Sequence, residues 1–115
     1  MLYASVALTA VRGDTLTLEF TVTDQDGVVS NITGTTPVFA LRSLRGETVI
    51  QSPSDATATL TDPTNGLFRV TVPASVTNLL TQELYSYQAI LDDISDNRQT
   101  VARGSIHFIN KDVSP

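Results

Sequence analysis

The sequence predicts an all-β domain, an Ig-like or fibronectin-like sandwich of two antiparallel sheets with about seven strands and one short helical turn near residues 74–81. Three observations carry that prediction. Threonine is the commonest residue and valine is abundant beside it; both are β-branched and suit the pleated, half-buried surface of a strand. Apolar and polar residues alternate with a period of two in roughly six or seven separate stretches. Gly, Pro, Asn and Asp punctuate those stretches roughly every eight to twelve residues.

Residues 4–11 alternate weakly and form a first strand at an edge. Arg12-Gly13-Asp14 breaks it. The strongest pattern follows at 15–23, where Leu16, Leu18, Phe20 and Val22 point to one side and Thr15, Thr17, Glu19, Thr21 and Thr23 to the other, as in a strand with one face in a core and one in water. Asp24-Gln25-Asp26-Gly27 is a turn, after which Val28 and Val29 pair back briefly. Residues 31–37 read as loop. A strand at 38–43 places Phe39 and Leu41 inward, Leu44-Arg45-Gly46 turns the chain, and 47–51 make a short strand. After the loop at 52–55, Ala56, Ala58 and Leu60 alternate with threonines over 56–61. Asp62-Pro63-Thr64-Asn65-Gly66 is a hairpin turn, and residues 67–72 return with Phe68, Val70 and Val72 inward. Pro73 ends that strand, because it cannot donate to a ladder. In the helical turn, Val76, Leu79 and Leu80 are placed to cap the core. Tyr85, Tyr87, Ala89 and Leu91 form the inner face of the next strand, residues 92–97 a polar hairpin loop, and residues 98–109 the last strand, with Ile106 and Phe108 inward and Gly104 at a bulge. Residues 110–115 are a polar tail.

At 115 residues the chain has the usual size of one domain, here taken as residues 1–115. Folding would bury roughly two-thirds of its extended surface, enough for a core without a staple. There is no cysteine, so neither a disulfide nor a Cys-ligated zinc contributes. The net charge of −5, with only seven scattered basic residues, disfavours nucleic acid, which is held through Lys and Arg. No apolar run is long enough to cross a membrane as a helix. The apolar start lacks the basic flank of a leader, and its alternation is that of a strand.

No constellation of residues suits catalysis, and no cofactor is expected. The one histidine, His107, lies on the polar phase of the last strand, without the nucleophile and orienting acid a general base needs. Asp24-Gln25-Asp26-Gly27 begins like a calcium loop, but the further carboxylates and the closing Glu do not follow. A second acidic turn, with Asp92, Asp93 and Asp96, would give a weak calcium site only if it met the first; ordinary hairpin chemistry accounts for both. Arg12-Gly13-Asp14 matches a cell-adhesion tripeptide, yet a turn between two strands explains it. Asn31-Ile32-Thr33 is a glycosylation sequon that matters only in a secretory pathway. Tyr85, which opens the strand after the helical turn, suits a tyrosine corner.

Taken in order, Arg12-Gly13-Asp14-Thr15 before Leu16-Thr17-Leu18-Glu19-Phe20, the acidic turn at 24–27, Asn31-Ile32-Thr33-Gly34, Phe39-Ala40-Leu41-Arg42, Asn65-Gly66 before a strand, and Tyr85-Ser86-Tyr87 form a pattern over roughly residues 10–110. It resembles the β-sandwich modules of tailed-phage virions, notably the N-terminal domains of baseplate upper proteins and related short tail proteins. The resemblance implies a structural virion protein, assembled in the host cytoplasm, that contacts tail, baseplate, fibre or capsid proteins in symmetric copies. It carries no catalytic residues. Tail or baseplate attachment is the first reading and capsid decoration the second. A carbohydrate- or receptor-binding module is the third; Trp is absent, and Tyr3 is its one obvious platform. The apolar N-terminal strand is the expected contact element, through Leu2, Tyr3, Val6, Leu8 and Val11, by addition to a neighbour's sheet.

Overall fold

Alternation decides the architecture. The computed structural model describes residues 4–24, 26–52, 54–93 and 98–109, and for residues 4–8 the backbone alone. Among these are eight strands: β1 (Ala4–Val11), β2 (Leu16–Thr21), β3 (Thr36–Arg42), β4 (Thr48–Gln51), β5 (Thr57–Asp62), β6 (Leu67–Val72), β7 (Leu84–Asp92) and β8 (Arg98–Ile109). A single helical turn, α1 (Ala74–Thr77), follows β6. The strands form a five-stranded sheet in the order β1-β8-β7-β3-β4 and a three-stranded sheet in the order β2-β6-β5. This is the expected two-sheet sandwich, with one pairing the alternation did not reveal: β1 runs parallel to β8, from Ala4 opposite Ala102 to Val11 opposite Ile109. The other strand pairs are antiparallel.

The core lies between the sheets. Phe39 and Leu41 of β3, Tyr85, Tyr87, Ala89 and Leu91 of β7, and Ile106 and Phe108 of β8 face Phe68, Val70 and Val72 of β6, and all are buried. Leu16, Leu18 and Phe20 of β2 are half-buried against this cluster, because β2 is an edge of the narrower sheet. Aromatic rings tie the layers together. Phe20 stacks on Phe68 at 4.9 Å between centroids and lies 6.2 Å from Tyr87 of the opposite sheet. Tyr85 meets Phe108 edge to face at 5.6 Å, a favoured aromatic geometry.

Four local expectations are corrected. The loop expected over 31–37 contains Ile32, a core residue, and its last two residues begin β3, with Pro37 opposite Leu91. Proline is tolerated there for a geometric reason. The N–H and C=O of Phe39 exchange bonds with Ser52 on the β4 side, so Pro37, two residues earlier, turns its missing donor to that same side, beyond the end of β4. The bulge falls at Val101, not at Gly104: Ala89 pairs with Ala102 and Ile90 with Thr100. The extra residue lets the consecutive Val101 and Ala102 both be buried. Gly104 pairs regularly with Tyr87. Leu79 is 75% exposed, whereas Thr77 is fully buried and Leu80 nearly so. Three-residue spacing puts Thr77 and Leu80 on one side of the turn and Leu79 on the other. Thr77 is buried because its hydroxyl proton is shared between the carbonyls of Asp14 at 2.7 Å and Ala74 at 3.1 Å, and its oxygen accepts from the Gly13 N–H.

The hairpin at 62–66 is closed by a 3-10 turn, Pro63–Asn65, with Gly66 in the left-handed region at φ 73°. Tyr85 acts as the expected corner. Its hydroxyl accepts the backbone N–H groups of Thr81 at 3.1 Å and Gln82 at 2.8 Å, fixing the link from α1 into β7.

Candidate interaction surface

Each sheet has two edges, and they are not equally protected. β4 is short, with four residues. β5 carries a register shift between Leu60 and Asp62, and bulges discourage further pairing. On β2, Glu19 is charged and bonded across to Arg69 of β6. β1 has eight residues, no charge, no proline and an unbroken register, so it is the edge best suited to accept another strand. The direction of its free groups follows from the turn after it. Arg12 N–H donates to the Ile109 carbonyl, so the even-numbered residues of β1 bond to β8. Ser5, Ala7 and Thr9 turn their N–H and C=O groups outward to the open edge.

The outer face of the five-stranded sheet holds a second feature. Ala40 and Arg42 of β3, Ser86 and Gln88 of β7, and Arg103 of β8 line a hollow of about 280 Å³. Arg42 lies opposite Ser86 and Arg103 opposite Gln88, so the two guanidinium-bearing residues flank β7 across a floor of small side chains. Gln88 is steadied by a bond from its amide nitrogen to the Thr100 hydroxyl at 3.1 Å. Among the described residues, no carboxylate lines the hollow. At the end of the sandwich where β2 finishes and β3 begins, the charge is reversed. Asp24, Asp26, Asp62, Asp92 and Asp93 gather there on three connections. Asp92 is paired with Arg98 at 2.8 Å, and that side-chain hydrogen bond, with the charge behind it, holds the Asp92 carboxyl below its ordinary value. Asp24 accepts the N–H groups of Asp26 and Val28, an Asx turn.

The residues singled out from sequence fall as follows. Leu2 and Tyr3 lie outside the described residues, as do Asp96 and the tail at 110–115. Val6 and Leu8 are on β1, opposite Gly104 and Ile106; Val11 is opposite Ile109 on the other phase of the strand. The contact candidates therefore share an edge but not a face. His107 is exposed on the outer face, between Leu84 and Thr9 in register. Arg12-Gly13-Asp14 forms the β1–β2 turn, closed by Asp14 N–H on the Val11 carbonyl. The sequon folds on itself, Asn31 accepting from both N–H and hydroxyl of Thr33. The two acidic turns do share one end of the sandwich, yet among the described residues no three His, Cys, Asp or Glu side chains converge to hold a metal. Arg42 and Arg103 were not legible as a pair. Each occupies an ordinary polar strand position, and only the β3-β7-β8 register brings them to one hollow.

A model of the BppU N-terminal domain (BppU, baseplate upper protein) matches residues 4–112. No curated protein matches the chain at a significant level. Among solved structures, the crystal structure of CopC from Methylosinus trichosporium OB3b is similar, with a TM-score of 0.53 over 97% of this chain and 90% of that one. At 8% identity that likeness shows the fold alone.

Proposed function

The chain belongs to the family of baseplate upper protein N-terminal domains, and from that premise we propose that it is a non-enzymatic structural part of a phage virion, working by protein–protein contact at the tail or baseplate. The observation that carries the contact reading is the open edge of β1: eight uncharged residues, an unbroken register and a row of outward N–H and C=O groups. A neighbouring chain in extended form adds there as a sixth strand, the main chain supplying affinity and the flanking side chains supplying choice.

The test uses proline as a backbone probe. Thr9→Pro removes one outward N–H and none of the bonds to β8, so the domain folds but its edge is blocked. Ala10→Pro removes a bond inside the ladder and serves as the destabilised control. Co-expressed with wild-type chain during phage assembly, the Thr9→Pro chain is expected to be depleted from purified particles, as read by mass spectrometry. Incorporation equal to wild type would rule out the β1 edge. Copies per particle separate a ring at the tail from coverage of the capsid.

A further inference from the structure

The molecule is electrostatically polar. Its overall charge is −5, yet among the described residues the hollow on the outer sheet face is lined by two arginines and no carboxylate. The Arg42 side chain makes no hydrogen bond or ion pair among the described residues, whereas Arg103 already has an interaction of its own. Two guanidinium groups beside Ser86 and the Gln88 amide form a surface that recognises carboxylates, since the planar fork of Arg matches them in two-pronged bonds. The complementary surface is on the same chain. At the acidic end, Asp24 is engaged by its own turn, while Asp26 is exposed beside Val28 and Val29, themselves 59% and 45% exposed. Asp62 lies on the adjoining turn, where one carboxylate oxygen accepts from the Asn65 side-chain amide at 2.8 Å.

This acidic end cannot reach the hollow of its own molecule. Arg42 is six residues along β3 from Thr36 at the acidic end, about 20 Å at strand rise. Asp26 also belongs to the connection leaving the three-stranded sheet, on the other side of the sandwich. We propose that the hollow of one copy receives the acidic end of a second copy, Asp26 and Asp62 meeting Arg42 and Arg103 while Val28 and Val29 cover the small residues of the floor. The inference deepens the virion reading by naming a like copy as the neighbour. The contact joins two different patches, so it is head-to-face, and repetition closes a ring or runs on as a filament.

Light scattering of the purified chain across concentration and salt tests it. At about 10 mM salt, where charges act over about 30 Å, the mass rises with concentration; at about 1 M salt, with a range of about 3 Å, it returns to the monomer. Arg42→Glu/Arg103→Glu and Asp26→Arg/Asp62→Arg each weaken self-association more than about tenfold by placing like charges together, with circular dichroism unchanged. An equimolar mixture of the two variants associates again. A wild-type chain that stays monomeric at low salt overturns the proposal. So does association that survives Arg42→Glu/Arg103→Glu and high salt. If that surviving association is lost in Thr9→Pro, the β1 reading stands and this one falls. Salt-sensitive association that persists in Thr9→Pro supports this contact whatever β1 does.

Discussion

Gly66→Ala and Gly34→Ala form a matched pair that isolates one steric feature. Both glycines have positive φ, +73° and +86°, where an L side chain costs about 1–2 kcal/mol. Alanine also restricts the unfolded chain, which returns about 0.4–1 kcal/mol. At Gly34 a Cβ meets nothing within 4 Å, so the net loss is about 1.5 kcal/mol or less. At Gly66 the Cβ falls 2.6 Å from the Val22 carbonyl oxygen and 2.8 Å from that of Ser30. Neither oxygen can rotate away, since both are backbone. Relief must move the segment that the Val22 N–H anchors to the Gly66 carbonyl at 2.8 Å and the Ser30 N–H to the Val22 carbonyl at 2.9 Å. Weakening those two bonds adds about 0.5–1.5 kcal/mol each, giving about 1–4.5 kcal/mol in total for Gly66→Ala. Urea unfolding with a common m-value measures both. A Gly66→Ala loss within about 0.5 kcal/mol of the Gly34→Ala loss would refute the close packing of the β5–β6 turn against the end of β2.

Tyr85→Phe leaves the Thr81 and Gln82 N–H groups without their acceptor, and about 1–2 kcal/mol of stability should be lost, with faster amide exchange at those two residues; unchanged exchange would count against the corner. Phe20→Ala removes a half-buried ring stacked on Phe68 and should cost about 2–3 kcal/mol, below the full value for a buried Phe. Glu19→Ala loses only an exposed pair with Arg69 and should cost about 1 kcal/mol or less. Equal losses at 19 and 20 would mean the strand phase is inverted. The Asp92 carboxyl is depressed by the Arg98 hydrogen bond, so the pair's contribution is present at neutral pH and disappears as pH falls through the lowered value. In an NMR titration Arg98→Gln should raise the Asp92 midpoint toward that of an ordinary aspartate, and an unmoved midpoint would remove Arg98 as the cause.

Much of this fold was legible because a strand with one wet face writes itself as alternation. Leu16 to Val22 and Tyr85 to Leu91 needed no partner to be oriented correctly. What escaped depended on a partner or stood alone. Ile32 is one apolar residue in a polar loop, without a period to announce it. The Val101 bulge is a mismatch between two strands and has no signature in either. Pro37 reads as a breaker until β4 is seen to end before reaching it. For the candidate surface, β1 was recognisable as an apolar edge strand. Arg42 and Arg103, by contrast, are sixty-one positions apart, and nothing local links them.

The parallel pairing of β1 with β8 has a mechanical consequence. The chain enters β1 at one end of the sheet and leaves β8 at the other. Tension applied between residues 4 and 109 therefore slides the two strands past each other along their length. The ladder from Ala4 against Ala102 to Val11 against Ile109 is loaded all at once, so its bonds must fail together. A hairpin with both ends on one side would instead unzip from the end, one bond at a time. The outermost strand pair is thus a clamp, arranged to carry a pulling load straight through the domain.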